Sequence, residues 1–336
     1  MKRYINIYVL SCLCILLPFT LLATAPGKPS NLRSYSKYNP AGTNNKPYFG
    51  WYVNDADANE VQTGYQILVS SSLAKLNAGT GDAWNSGKVK SDKQNYVYFT
   101  GKNLLPATRY YWKVKTWDKS GNASPYSAVQ YFDTGLFESK DWAGSKWIKR
   151  NNNDRDDYTF FRKSASINNK PIKRAIAYIS AVHNYELYIN GKFISKGSVN
   201  HYPQYQYYHA FDVTRVLQPG KKNLIATLTH WYGGGQGRAP NARGFLMKTI
   251  VEYTDGTKTV IGTDSTWKEH QADSWQTGQP QRNGEGNGYV DKIDSRKFMI
   301  GWNMQGFNDT TWPAATEIGA PPVAPWINNL NSDLTR

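Results

Sequence analysis

The sequence predicts an all-β chain folded as two successive β-sandwiches, and three observations carry that prediction. No amphipathic helix of ordinary length can be found in the 336 residues. Short strand-like runs alternate with Gly, Asn, Asp and Pro turns throughout, the pattern of antiparallel β-structure. The third is the stretch Gly101 to Ser127, which holds Leu104-x-Pro106-x-Thr108-x-Tyr110 and then the alternating Tyr110, Trp112, Val114 and Thr116. A tyrosine at such a corner between strands anchors its hydroxyl on upstream backbone, and the strand after it turns every second side chain inward.

The first 25 residues read as a targeting segment rather than as fold. Lys2 and Arg3 precede an apolar run from Ile5 to Leu22, and Ala23-Thr24-Ala25 supplies a small-residue cleavage site. Export to the periplasm or outside the cell follows, and contact with a membrane is expected only through an uncleaved signal. Residues 28–136 come next, with strand candidates Pro47–Val53, Gly64–Ser70, Asn95–Phe99, Arg109–Trp117 and Ala128–Asp133. About seven strands over roughly 100 residues fit a fibronectin type III-like sandwich. Residues 137–148 form a linker whose Trp142 and Trp147 are expected to pin the two domains together.

Residues 149–318 read as a second, larger sandwich of jelly-roll, galactose-binding-like type. Its strand candidates are Tyr158–Ile167, Arg174–Ala181, Glu186–Ile189, Lys192–Ser195, His209–Asp212, Asn223–His230, Gly244–Tyr253, Lys258–Gly262 and Trp267–His270. Asn190-Gly191 and Asp255-Gly256 are hairpin turns, because both central positions of such a turn favour residues that tolerate positive φ. Residues 319–336, rich in Pro and Asn, read as a linker.

Both cysteines, Cys12 and Cys14, fall in the targeting segment. The remainder has no disulfide, no thiolate metal site and no cysteine nucleophile, so its sandwiches rest on core burial alone. The formal charge is +15. Basic residues are scattered singly, and with export this argues against nucleic acid and for either an acidic polysaccharide or plain solubility. The 12 Trp and 24 Tyr suit sandwich cores and sugar stacking alike.

Three loops carry candidate chemistry. His230-Trp231-Tyr232-Gly233-Gly234-Gly235-Gln236-Gly237-Arg238 pairs aromatics that stack on sugar with glycines that allow close backbone approach, and Arg238 can hold a carboxylate. The competing reading is a wide turn with Trp231 packed on the core. Tyr202 and Tyr205, in a run of alternating aromatic and polar residues from His201 to His209, are sugar-rim candidates, or else strand residues facing the core. Glu285, Asp291 and Asp294 form the densest acidic cluster near glycines and suit a sugar or calcium, because carboxylate and carbonyl oxygens on a flexible loop suit a hard cation; otherwise they are a polar loop in which Asp294 pairs with Arg296 or a neighbouring basic side chain. The five histidines have no zinc spacing, and no G-x-S-x-G elbow is present. No catalytic residue is assigned, and no cofactor beyond calcium is in view.

The ordered motifs resemble those of the bacterial α-L-rhamnosidases, glycoside hydrolase family 78. Trp84-Asn85-Ser86-Gly87-Lys88-Val89 is similar to that family's W-D-S-G-K-V signature. Tyr111-Trp112-Lys113-Val114, Trp117-Asp118, Asp141-Trp142 and Lys146-Trp147-Ile148 continue the likeness. Phe161-Arg162-Lys163 and Tyr185 to Lys192 resemble its N-terminal jelly-roll, as do Asp212-Val213-Thr214 and Asp264-x-x-Trp267-Lys268. Tyr289-x-Asp291, Asp294-x-Arg296, Gly301-Trp302 and Phe307-Asn308-Asp309-x-x-Trp312 complete it. In that family a helical (α/α)₆ barrel further along supplies the catalytic acids, and no helical repeat exists here. The resemblance implies the non-catalytic N-terminal part of such an exported enzyme, with 319–336 leading toward the missing barrel. Its partners would be that barrel and a rhamnose-containing polysaccharide or glycoside. A stand-alone extracellular scaffold or adhesion protein without a sugar site is the alternative.

Overall fold

The computed structural model of the protein describes residues 24–152, 154–234, 239–280 and 289–334. The expected signal segment up to residue 23, Arg238 and Glu285 lie outside them. The described chain is all-β but for one short α-helix, Leu73–Asn77, capped by the Ser72 hydroxyl, and three 3₁₀ turns.

The first sandwich faces a three-stranded sheet (Gly27–Ser34, Tyr48–Asn54, Val97–Tyr98) against a larger one. The larger sheet runs Ala41–Thr43, Gln130–Thr134, Arg109–Trp117, Gly64–Ser70 and Trp84–Asn85, with Val89–Lys90 also on Gly64–Ser70. Arg109–Trp117 alternates strictly, so Tyr110, Trp112 and Val114 join Phe49, Trp51, Ile67 and Phe132 in one core. The Tyr110 hydroxyl accepts the Leu105 amide at 3.0 Å, closing the tyrosine corner. The strand expected from Ala128 begins two residues later, at Gln130. Before it, Ser124 and Ser127 cap the Thr116 and Val114 amides with their hydroxyls, around a proline, Pro125, that has no amide to give.

The second sandwich pairs a seven-stranded sheet with a five-stranded one. The larger runs Thr316–Gly319, Trp147–Lys149, Phe245–Tyr253, Ile172–Ala181, Tyr207–Asp212 and Asn331–Ser332, with Lys258–Gly262 on Phe245–Tyr253. The smaller runs Lys192–Val199, His183–Ile189, Lys222–Trp231, Asp157–Ser166 and Lys268–Gln271. Phe161, Ala177, Ile179, Leu187, Ile225 and Trp267 fill the space between them. Asn190 (φ 51°) and Gly191 (φ 78°) make the hairpin turn as the sequence predicts.

The outer face of the seven-stranded sheet is the seam with the first sandwich. Trp142, Trp147, Ile176, Tyr178, Tyr208 and Trp326 form one buried cluster there. The Tyr208 hydroxyl donates to the Leu136 carbonyl at 2.9 Å and accepts its amide at 2.7 Å. Asp133, from the first sandwich, accepts from Arg109 and, across the seam, from Arg174 at 2.7 Å. The stretch expected as a linker after residue 318 is instead packed down. Trp326 is fully buried, stacks on Trp147 at 3.9 Å, and Asn331–Ser332 adds a parallel strand beside Tyr207–Asp212. Its prolines hide this pattern from a reading by periodicity, because one buried tryptophan in a coil has no period.

Candidate functional site

The five-stranded sheet has a second face, and alternation decides what stands on it. On Lys222–Trp231 the odd residue Ile225 faces the sandwich core, so Leu224, Ala226, Leu228 and His230 face out. On His183–Ile189, Tyr185, Leu187 and Ile189 face in, which turns Asn184, Glu186 and Tyr188 outward. Cross-strand register then builds two rows. Tyr158, His230, Asn184 and Ser198 lie side by side across four strands; Phe160, Leu228, Glu186 and Lys196 form the next.

The apolar end of this face is covered by Trp302 and Trp312, with Trp302 stacked on Phe160 at 4.1 Å. The other end is open as a hollow of about 480 Å³, floored by the two rows and walled by Tyr232, Trp275, Asp291 and Ile293. The Tyr158 ring stacks on His230 at 3.6 Å and on Trp275 at 5.5 Å. Its hydroxyl donates to Asp291 at 2.6 Å, and burial first and that carboxylate second push its pKa far up, so it stays a neutral donor. His230 Nε2 meets the buried Asp156 carboxylate at 2.8 Å, which fixes the ring. Asn184 Nδ2 donates to the Tyr232 hydroxyl at 2.5 Å, and the Tyr188 hydroxyl donates to Glu186 at 2.8 Å. Burial, then Glu186, pushes the Tyr188 phenol up to about 12. Aromatic rims around a floor of amide, carboxylate, imidazole and ammonium groups are what a polyhydroxylated ring with apolar faces needs.

Of the sequence-based candidates, the structure brings His230, Tyr232 and Asp291 together here. Trp231 is one residue past His230 and so lies on the other side of the sheet, under the Arg243 guanidinium at 4.7 Å. It does not share the hollow, which corrects its grouping with its neighbours. Tyr202 precedes the 3₁₀ turn Pro203–Tyr205 and Tyr205 ends it; both are more than half exposed, and neither lines the hollow. Asp294 caps the turn Ser295–Lys297 and holds Arg296 through two 2.8 Å contacts, which pull its carboxyl below the ordinary value. Among the described residues no three His, Cys, Asp or Glu side chains converge as a cation site. Sequence reasoning missed Tyr158, Asn184, Glu186 and Trp275. The available signal was the polar set Asn184 and Glu186, out of phase with Tyr185, Leu187 and Ile189.

Comparison with known proteins bears on both sandwiches. Residues 29–138 match the family described as Rha78A-like, N-terminal immunoglobulin domain, and residues 170–328 match the alpha-L-rhamnosidase N-terminal domain. An alpha-L-rhamnosidase of Formosa agariphila is 31% identical over 88% of this chain and 34% of its own length. One from Alteromonas sp. (strain LOR) is 27% identical over 85% of this chain and 32% of its own. The solved alpha-L-rhamnosidase of Dictyoglumus thermophilum superposes with a TM-score of 0.79 at 31% identity, covering 93% of this chain and 36% of that one. The Aspergillus terreus structure, at 21% identity and a TM-score of 0.68, shares the fold. The chain thus spans about a third of the length of the relatives it matches.

Proposed function

Since the chain belongs to the α-L-rhamnosidases of glycoside hydrolase family 78, matching their N-terminal region, we propose that its second sandwich is the sugar-holding part of an exported enzyme acting on α-L-rhamnose in a polysaccharide or glycoside. One observation carries this reading: Asn184, Glu186 and His230 stand on adjacent strands inside a hollow rimmed by Tyr232 and Trp275. The floor is fixed before any ligand arrives, because Asp156 and Tyr158 clamp the His230 ring. The role is binding rather than bond cleavage, and hydrolysis is assigned to the part of the relatives beyond the matched third. The apolar N-terminal run supports export, and the positive charge of the chain supports an acidic polysaccharide as its partner.

The test is calorimetric titration of the 336-residue chain with L-rhamnose and with rhamnogalacturonan oligosaccharides, with and without calcium. Binding is expected, and Glu186→Gln or Tyr232→Ala should weaken it by about tenfold, one hydrogen bond or one stacking ring each. No heat with any of these sugars from a folded chain refutes the reading and leaves the scaffold alternative.

A further inference from the structure

The outer face of the three-stranded sheet in the first sandwich departs from what such a face should be. An antiparallel sheet with one face on the core ordinarily presents polar residues to water on the other. Here Tyr52, Tyr96 and Tyr98 project, 58–63% exposed, and Tyr38 joins them at 54%. Tyr48 ties the group together, its ring 5.1 Å from Tyr96, 5.8 Å from Tyr98 and 4.7 Å from Tyr35. None of these rings belongs to the core of the sandwich. Singly exposed aromatics need no explanation; a cluster of this size on one side of a sheet does.

Gly50 lies between Tyr48 and Tyr52 on one strand, and the Asn95 side chain packs over it, 2.7 Å from where a Cβ would stand. Beside this contact is a groove of about 470 Å³, lined by Tyr52, Asn31, Arg33, Gln94 and Asn95. A separate hollow of about 330 Å³, at the side of the sandwich, is lined by Lys93, Tyr96 and Tyr98 together with Tyr65, Trp84 and Val89 of the facing sheet. Tyr48 and Tyr52 are four residues apart, a span of about 13 Å at strand rise, longer than one sugar ring. The Arg33 guanidinium stacks on Tyr38 at 4.1 Å and donates to Asn31 and to the Ser36 carbonyl, so the flat cation and the ring form one fixed wall.

We propose that this tyrosine groove is a second glycan site, taking an extended acidic polysaccharide whose sugar rings bear carboxylates. Tyrosine faces stack on the apolar faces of pyranose rings, and the amides of Asn31, Gln94 and Asn95 match ring hydroxyls. The charge decides the occupant. Arg33 and Lys93 line the two hollows and no Asp or Glu does, while Lys28 and Lys46 stand exposed at the ends of the flanking strands. A uronate chain supplies the complementary charge at intervals along its length.

Affinity electrophoresis of the whole chain through gels containing polygalacturonate, against gels containing neutral galactan, tests this. Retardation by polygalacturonate, weakening with salt, is expected. The double variant Tyr52→Ala, Tyr98→Ala, whose side chains are exposed and whose loss leaves the core untouched, should raise the apparent Kd about tenfold or more. Lys93→Glu should weaken polygalacturonate binding and spare galactan. Tyr232→Ala, in the cleft of the second sandwich, should leave polygalacturonate retardation unchanged, which separates the two sites. Unretarded wild type, equal retardation of the double tyrosine variant, or retardation lost with Tyr232→Ala overturns the assignment. So does a concentration-dependent dimer in light scattering that the double tyrosine variant abolishes, since the face would then belong to a second copy.

Discussion

Replacing Asp133 by alanine should cost the chain about 3 kcal/mol, and the figure follows from what the carboxylate holds. Asp133 is 1% exposed and receives three charge-assisted hydrogen bonds: Arg109 Nε at 3.0 Å, Arg109 Nη2 at 2.7 Å and Arg174 Nη1 at 2.7 Å. Removing one partner of a buried pair typically costs 3–5 kcal/mol, because the other charge stays buried without compensation. Here compensation is partial. Arg174 keeps the Glu252 carboxylate and the Ala107 carbonyl, both at 2.8 Å. Arg109 is near Asp212 at 3.4 Å, on the more exposed side of the network. Those remaining partners place the loss at the low end of the range. The assay is urea unfolding followed by tryptophan fluorescence and near-UV circular dichroism. Wild type should unfold in one step, because Trp142, Trp147, Tyr208 and Trp326 make a single cluster across the seam. The variant should unfold at lower urea, and a cycle with Arg174→Ala should show coupling above about 1 kcal/mol. A loss below about 1 kcal/mol, or additive single losses, would mean that the network is solvated and that the seam rests on its tryptophans alone.

Trp326→Ala should destabilise by about 3–5 kcal/mol in the same assay, since a fully buried ring stacked on Trp147 leaves a cavity at the seam. Tyr110→Phe should cost about 1 kcal/mol by deleting the acceptor of the Leu105 amide while keeping the ring in the core, with the difference read by thermal unfolding. Stability should fall as pH drops below ordinary carboxylate values, and Glu252→Gln should flatten that fall. Burial pushes the Glu252 carboxyl up, but hydrogen bonds and charges from Lys173 and Arg174 outweigh it and hold the group low, so its contribution is full above about pH 4.3 and lost as pH falls through its folded value. Glu269, held above its ordinary value by burial, works in the opposite sense and tempers the slope.

What could be read from the chain was what repeats within one strand. Arg109–Trp117, Gly64–Ser70 and Lys258–Gly262 alternate or are densely β-branched and aromatic, and the structure has them at those bounds. Gly27–Ser34 escaped because Pro29, Ser30 and Asn31 leave it without an alternating apolar pattern, although the strand sits on the sheet edge where such residues are tolerated. Asn331–Ser332 is two residues long and has no period at all. In the site, His230 and Tyr232 announced themselves as an aromatic loop beside glycine. Which of its rings share a cleft depends on strand parity, and Trp231 falls on the wrong side by one residue. Asn184 and Glu186 looked like solvent residues, since a single sequence does not say that a second layer covers half of their sheet face. Tyr158 and Asp291 are 133 residues apart and meet only through the fold.

The cleft itself follows from where that second layer stops. The outer rungs Phe160, Leu224 and Ala226 are apolar and would be a liability bare, and Trp302 and Trp312 cover them. Toward the other end of the same strands the outward residues turn polar, Glu186 and then Asn184 and His230, and the cover gives way to the wall of Trp275 and Asp291. Polar groups half-enclosed in this way are costly unless each is held, and they are: His230 by Asp156, Asn184 by Tyr232, Glu186 by Tyr188. The internal bonds use one or two positions on each group. Carboxylate, amide and imidazole each have further capacity, on side chains that line the hollow and have already given up their freedom. A face built only for stability would have continued the tryptophan cover across these rungs. Ending it there, with the exposed polar groups locked in place, is the arrangement that the proposed binding of a small polar ring would require.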